Sequence, residues 1–279
     1  MPIHDQGYRR YGGLRTFRGG GWWVIARAGI RDRIRERRFL ALLLFAWSPF
    51  IVRAVQMYVA ANFSQASFLA PTARTFREFL DQQGIFVFFV TIYVGSGAIA
   101  SDRRANALQI YLSKPLTRVE YVAGKLATLT VFLVAVTWMP AMLLLLLQMA
   151  FAGSAAFVRA NVFLIPAITV FAAIQVFSSA LSMLALSSLS KNRRFVAVMY
   201  AGIIFFTEAL VQALRAITGS NAWAWLSPGN TLDAVADHIF RVSEPASLPL
   251  PVALLVIAVL IGASLWILER RVRGVEVVV

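Results

Sequence analysis

Six long apolar runs constrain what this chain can fold into more than any other feature of its sequence. Each run approaches the roughly 20 residues that an α-helix needs to cross the hydrocarbon core of a bilayer. Inside lipid, a helix satisfies all of its own backbone hydrogen bonds, which an irregular segment cannot do. The sequence therefore predicts an all-α integral membrane protein with six transmembrane helices. We place these helices at about residues 39–61, 84–101, 123–150, 161–188, 195–216 and 250–268.

The composition supports a single membrane domain. Hydrophobic residues make up 59% of the chain, whereas soluble proteins are usually nearer one half apolar. No long polar region separates the apolar runs, so we expect one transmembrane domain over residues 22–279, preceded by a disordered cytoplasmic tail at 1–21. Cysteine is absent, which excludes disulfides, thiolate chemistry and cysteine-based metal sites.

The charged residues are distributed unevenly among the loops. If the N-terminus is cytoplasmic, the cytoplasmic segments hold 21 of the 27 Lys and Arg residues and seven acidic residues, against five of each in the external loops. Cytoplasmic loops of membrane proteins are enriched in Lys and Arg, so we expect both termini in the cytoplasm. The formal charge of +14 then reflects membrane topology, and we expect no nucleic-acid partner.

The stretch from Trp22 to Arg38 has the pattern of an amphipathic helix at the membrane surface. Aromatic residues stand at its start and arginines recur along one face. Such a helix lies among the lipid headgroups, where its arginines attract anionic lipid. The plainer interpretation is a cytoplasmic lead into the first span, and the two are compatible. The residues that carry the prediction are Trp22, Trp23, Arg27, Arg31 and Arg35.

The loop between the second and third spans, residues 102–125, is basic and prone to form helix. Asp102 is placed to cap a helix running from Arg103 to Leu112, and Thr117 with Glu120 forms a capping box for the next helix. A solvated turn is the alternative. Against it stand four apolar residues that need burial against lipid, neighbouring spans or a partner: Leu108, Ile110, Tyr111 and Leu112.

The run DRRANALQIYLSKPLTRVEYVAGK, between the second and third spans, resembles the corresponding region of ABC-2-type transporter permeases. The basic entry helix and the six spans also fit that family. The resemblance implies a prokaryotic inner-membrane permease that pairs with a second copy or a homologous permease and docks on cytoplasmic ATPase subunits. It makes the segment from Asp102 to Leu112 a coupling helix. The implied docking residues are Asp102, Arg103, Arg104, Asn106, Leu108, Ile110, Tyr111 and Leu112.

The chain has no nucleotide site of its own. A phosphate-binding loop needs spaced glycines followed by Gly-Lys-Ser or Gly-Lys-Thr, but Leu126 follows Gly124-Lys125. Gly95-Ser96-Gly97 lies within a span and indicates close helix packing instead. We therefore expect no cofactor and no enzymatic activity in this chain, with ATP and Mg²⁺ bound by the partner ATPase of an exporter.

Two ionisable residues fall within the spans, where charge is costly and often functional. Arg53 in the first span and Glu208 in the fifth stand at similar depth, which suggests a charge pair inside the bundle. The pair is either a packing element or part of a translocation path. An ion-coupled secondary transporter that uses this pair, or a non-transporting scaffold, is the alternative to the exporter. Asp233, Asp237 and His238 more simply form a solvated helix face than a metal site.

Overall fold

The structure, a computed structural model, describes residues 20–63, 65, 71–107, 116–151, 161–242 and 248–272. All regular elements in these ranges are helical, and six helices are long and apolar enough to cross a membrane. The prediction of six spans is therefore confirmed. We name them span 1 (Arg37–Asn62), span 2 (Ala73–Arg104), span 3 (Arg118–Phe151), span 4 (Leu164–Leu189), span 5 (Arg193–Thr218) and span 6 (Leu250–Arg271).

The first three spans are each interrupted once, and among the described residues two shorter α-helices and a 3-10 helix (Ala224–Leu226) lie outside the spans. Span 1 breaks at Trp47, where Pro49 can only stand in the first turn of a new helix because proline has no backbone N–H. Span 2 breaks after Gly95 and span 3 at Thr137. The helices are α1 (Gly21–Ile34), α2 (Arg37–Ala46), α3 (Ser48–Asn62), α4 (Ala73–Gly95), α5 (Ala100–Arg104), α6 (Arg118–Val136), α7 (Trp138–Phe151), α8 (Leu164–Leu189), α9 (Arg193–Thr218), α10 (Pro228–Ile239) and α11 (Leu250–Arg271).

Spans 2, 3 and 4 form the centre of the bundle. In their most apolar stretches 50–56% of residues are buried within the subunit, against 11–17% in spans 1, 5 and 6. One core cluster surrounds Phe39, Tyr121 and Met183, and a second surrounds Phe79 and Ile168. We call the end of the bundle with α1, α5 and the start of α9 the basic end, and the other the opposite end. The outer spans expose apolar surface suited to lipid or to another subunit.

Helix α1 packs closely along the first turns of span 3. Gly124 makes this approach possible, since a Cβ there would stand 2.7 Å from both the Ile25 Cβ and the Trp22 carbonyl oxygen. One turn further on, the Thr128 side chain faces Gly29 in the same way. The contacts advance in step along both helices, so α1 runs beside span 3 in the same direction.

The predicted helix from Trp22 to Arg38 is shorter in the structure. It ends at Ile34, and a new helix begins at Arg37. The Arg33 guanidinium donates to the Glu36 carboxylate at 2.7 Å between the two helices, and the Tyr93 hydroxyl donates to the same carboxylate at 2.8 Å. These contacts fix the bend because Glu36 is held from two sides.

Candidate functional site

The break in span 2 is the most distinctive feature of the basic end. Regular helix stops at Gly95 and resumes at Ala100, which leaves backbone groups in the interior without helical partners. The Ser187 hydroxyl, fully buried on span 4, accepts from the backbone N–H groups of Ile99 at 3.1 Å and Ala100 at 3.0 Å. It also donates to the Ser96 carbonyl oxygen at 3.0 Å. One side chain therefore satisfies three backbone groups of the break.

Span 5 holds the same break from another side. The Arg193 guanidinium donates to the Ser96 hydroxyl at 3.3 Å and to the Tyr93 carbonyl oxygen at 3.1 Å. A Cβ at Gly97 would stand 3.1 Å from the Arg193 Cδ, and one at Gly95 would collide with Met183 of span 4. The expectation of close helix packing at these glycines agrees with this geometry.

Asp102 joins the segment after the break, which begins at Ala100, to the start of span 3. Its carboxylate accepts from the Tyr121 hydroxyl at 2.7 Å and forms an ion pair with the Lys125 ammonium at 2.7 Å. Both charged side chains are largely buried, at 17% and 21% exposure. On the other flank, Arg103 donates to the Ser188 carbonyl oxygen. The segment is therefore attached to spans 3 and 4 by separate residues.

The predicted helix from Arg103 to Leu112 is not formed as one element. Asp102 lies inside α5 instead of capping it, because its carboxylate is taken by Tyr121 and Lys125. The helix ends at Arg104, and Asn106 adopts a left-handed backbone with φ of 52°, which interrupts regular helix. The predicted docking residues Leu108, Ile110, Tyr111 and Leu112 lie outside the described residues.

The capping box at the start of span 3 is confirmed. The Glu120 backbone N–H donates to the Thr117 hydroxyl at 3.2 Å, and the Glu120 carboxylate accepts from the Thr117 backbone N–H at 2.9 Å. This fixes where span 3 begins.

The residues predicted to form a surface helix lie on α1 or next to its end, and α1 also packs against span 3. Trp22 and Trp23 are 40% and 54% exposed, with their rings 5.8 Å apart. Arg27 and Arg31 are exposed along α1, and Arg35 lies just beyond its end. Only the Ala26 side of the helix is buried, so an exposed basic and aromatic face remains.

The hypothesis of a pair between Arg53 and Glu208 is wrong within this subunit. The Arg53 guanidinium donates to the Glu78 carboxylate at 3.3 Å. Glu78 can reach Arg53 because span 2 begins at Ala73 and not near residue 84, so Glu78 belongs to this span. Glu208 accepts from the Ser227 hydroxyl at 2.7 Å and from the Asn230 amide at 3.0 Å. Arg53 and Glu208 therefore each have hydrogen-bond partners of their own at the opposite end.

A second charged cluster at the opposite end centres on Arg77. Its guanidinium contacts the carboxylates of Asp237 at 2.7 Å, Asp233 at 3.0 Å and Asp81 at 3.6 Å, and it is only 16% exposed. Burial raises the pKa of Asp233 to about 6, the neighbouring carboxylates of Asp81, Asp237 and Glu208 add to the increase, and Arg77 opposes it. The cluster fixes α10 on the start of span 2. Sequence analysis did not single out Arg77, because its partners Asp233 and Asp237 are distant in the chain.

We expect Ser187→Ala to destabilise the subunit far more than Ser188→Ala. The first substitution leaves two buried N–H donors and one carbonyl unpaired, and the free energy of unfolding should fall by about 2–4 kcal/mol. The neighbouring Ser188 hydroxyl donates only to the Ala185 carbonyl of its own helix, so its loss should cost below about 0.5 kcal/mol. Reversible unfolding in mixed detergent micelles measures both. Equal losses would contradict the role given to Ser187.

We expect Arg77→Gln to destabilise the subunit in a pH-dependent way. Three clustered carboxylates lose their counter-charge, which at about pH 8 should cost about 2–3 kcal/mol. Arg77 lowers the pKa of Asp233, which burial raises, so its removal leaves the pKa of Asp233 in the folded state still further above the unfolded value, and proton binding then favours folding. The deficit should shrink as the pH falls from about 8 to about 5.

Thermal unfolding across this pH range checks the prediction. Arg74→Gln is the matched control, since Arg74 stands on the same helix with 58% exposure and its ion pair with Glu78 should contribute below about 1 kcal/mol. A deficit that stays constant with pH would show that the carboxylates do not respond to Arg77.

One comparison with known proteins gives a match. The family model described as "ABC-2 family transporter protein" matches residues 23–272. The matched range contains all six spans, both charged clusters and nearly all of α1. No curated protein matches the chain.

Proposed function

Since the chain belongs to the ABC-2 family of transporter proteins, we propose that it forms the translocation path of an ATP-driven exporter with a second permease subunit and two ATPase subunits. The family and the six spans make it a multi-pass membrane permease of ABC-type transport, a transport component that is not itself catalytic. The proposal adds the direction of transport, the subunit composition and the route by which ATP hydrolysis drives transport. ATP and Mg²⁺ belong to the ATPase subunits.

The proposal rests on the break in span 2 and on the contacts that the break and the following segment make with the neighbouring spans. The segment that follows the break contacts span 3 through Asp102, span 4 through Arg103, and span 5 through the break itself, where Arg193 holds Ser96. A push on this segment is therefore transmitted to three spans together instead of bending an isolated loop. That is the mechanical property a coupling segment needs.

The charge distribution supports an orientation with the basic end in the cytoplasm. Lys and Arg favour the cytoplasmic side, and the basic end carries α1, the segment after span 2 and the loop before span 5. Both termini would then be cytoplasmic, in the inner membrane of a prokaryotic cell. The exposed Trp22, Trp23, Arg27 and Arg31 would meet lipid headgroups beside the docked ATPase.

The outer spans supply surfaces for a second permease. Span 5 exposes Phe205 and Phe206 at 63% and 68%, and a Cβ at Gly202 would meet nothing within 4 Å in this subunit. Small residues allow the backbones of membrane helices to approach closely. We propose that spans 1, 2 and 5 of two subunits line the path, and that ATP-driven movement of the coupling segments opens it alternately to each side.

The ion-coupled alternative loses its structural basis. It required Arg53 and Glu208 to exchange charge inside the bundle. Each has its own partners near the opposite end instead.

We expect Leu108→Glu and Tyr111→Glu to release the ATPase subunits. Burying an unpaired carboxylate in an apolar contact costs several kcal/mol, so the ATPase retained by the tagged permease should fall by about tenfold or more. Arg270→Glu, which adds an acid at an exposed position near the basic end of span 6, is the control and should retain the ATPase. Vanadate-sensitive ATP hydrolysis by the purified complex is the measurement.

Two results would contradict the proposal. If the wild-type permease purifies from its own membranes without ATP-hydrolysing subunits and its transport follows a proton gradient, it is a secondary carrier. If the Glu substitutions leave ATPase binding unchanged, the segment is not the docking site.

A further inference from the structure

A groove of about 420 Å³ lies between spans 1, 2 and 5 at the basic end. Its walls are apolar towards the middle of the bundle, and Phe89 on its edge is 48% exposed, so the groove opens sideways to the surrounding medium. Two arginines, Arg193 and Arg194, stand at its polar end. The apolar lining comes from Leu42, Phe89, Ile92 and Ala197.

The positive charge at the polar end is not paired with a carboxylate from the described part of the chain. Among the described residues no carboxylate lies within 4.0 Å of the Arg193 or Arg194 guanidinium. Glu36, which accepts from the Tyr93 hydroxyl, is already paired with Arg33 at 2.7 Å. The groove therefore offers two unpaired cations beside an apolar slot.

The Arg193 side chain is held in place without a counter-ion. It donates to the Tyr93 carbonyl oxygen at 3.1 Å and to the Ser96 hydroxyl at 3.3 Å, and its guanidinium carbon lies 5.6 Å from the centre of the Tyr93 ring. A side chain positioned in this way needs little further ordering to bind an anion. Arg194, exposed on the next residue, adds a second charge.

The depth of the groove matches the border between headgroups and acyl chains. Arg193 is the first residue of span 5, where a membrane helix meets the headgroup layer. Along span 2, Phe89 precedes Ser96 by seven positions, which corresponds to about 10 Å of helical rise. A ligand that spans this distance has a charged head and an apolar tail.

We propose that one anionic phospholipid occupies this groove, with its phosphate between Arg193 and Arg194 and the upper part of an acyl chain along Leu42, Phe89 and Ile92. Basic pockets between membrane helices are suited to acidic headgroups. Because Arg193 also donates to Ser96 at the break in span 2, the bound phosphate would lie directly beside this break. The groove lies at the basic end of the same three spans that we propose to line the path, and the test of lipid binding does not depend on ATPase docking.

The test is native mass spectrometry of the purified permease titrated with phosphatidylglycerol or phosphatidylcholine. The wild-type protein should retain one phosphatidylglycerol about tenfold more tightly than phosphatidylcholine. The double variant Arg193→Gln/Arg194→Gln should lose this preference, with an affinity about tenfold lower, because the two charges that attract the phosphate are removed. The matched control Arg270→Gln/Arg271→Gln removes two charges at the same end and should bind as the wild type does.

A second variant keeps the test informative if the double variant is poorly folded. Ala197→Phe fills the apolar part of the groove and leaves both arginines, and it should lower phosphatidylglycerol affinity about as much. Tight binding that persists in both groove variants, or that falls equally in the Arg270/Arg271 control, would overturn the proposal. Groove variants that alter subunit association while lipid binding persists would assign the groove to a second copy of the chain.

Discussion

One buried hydroxyl group, that of Ser187, allows span 2 to be interrupted inside the bundle. A broken helix at this depth exposes backbone donors and acceptors that lipid cannot satisfy, and Ser187 pairs with three of them. The break and the segment after it are in contact with the starts of spans 3 and 5. Without the Ser187 hydroxyl, three buried backbone groups would lack a partner, which is costly in the interior.

The charged side chains of the described residues cluster at the two ends of the bundle and leave its middle apolar. At the basic end, Asp102 and Lys125 join the segment after the break to span 3. At the opposite end, Arg77 joins span 2 to α10. Partly buried ion pairs of this kind fix geometry more than they add stability, because desolvation offsets much of the attraction. Each end of span 2 is thus tied to its neighbours, which suits the transmission of movement that we propose for this helix.

Features governed by local sequence could be predicted, and features governed by tertiary contact could not. The six spans follow from hydrophobic length, and the Thr117–Glu120 capping box follows from a spacing of three residues. The start of span 2 was placed too late because Arg77 and its charged neighbours interrupt the apolar pattern while the helix itself continues. Asp102 was interpreted as a helix cap, since no spacing rule indicates that Tyr121 and Lys125 would reach it.

The central claim is that the segment after the break moves as one body with span 3. The chain has no cysteine of its own, so pairs of introduced cysteines can be spin-labelled cleanly at exposed positions: Arg104 and Val119 within the proposed body, and Arg270 on span 6. Pulsed electron paramagnetic resonance on the permease–ATPase complex, with and without trapped nucleotide, measures the distances between them. The account predicts a constant distance between positions 104 and 119 and a changed distance between positions 119 and 270. A change between 104 and 119 alone would contradict it, because the segment would then flex without moving the span.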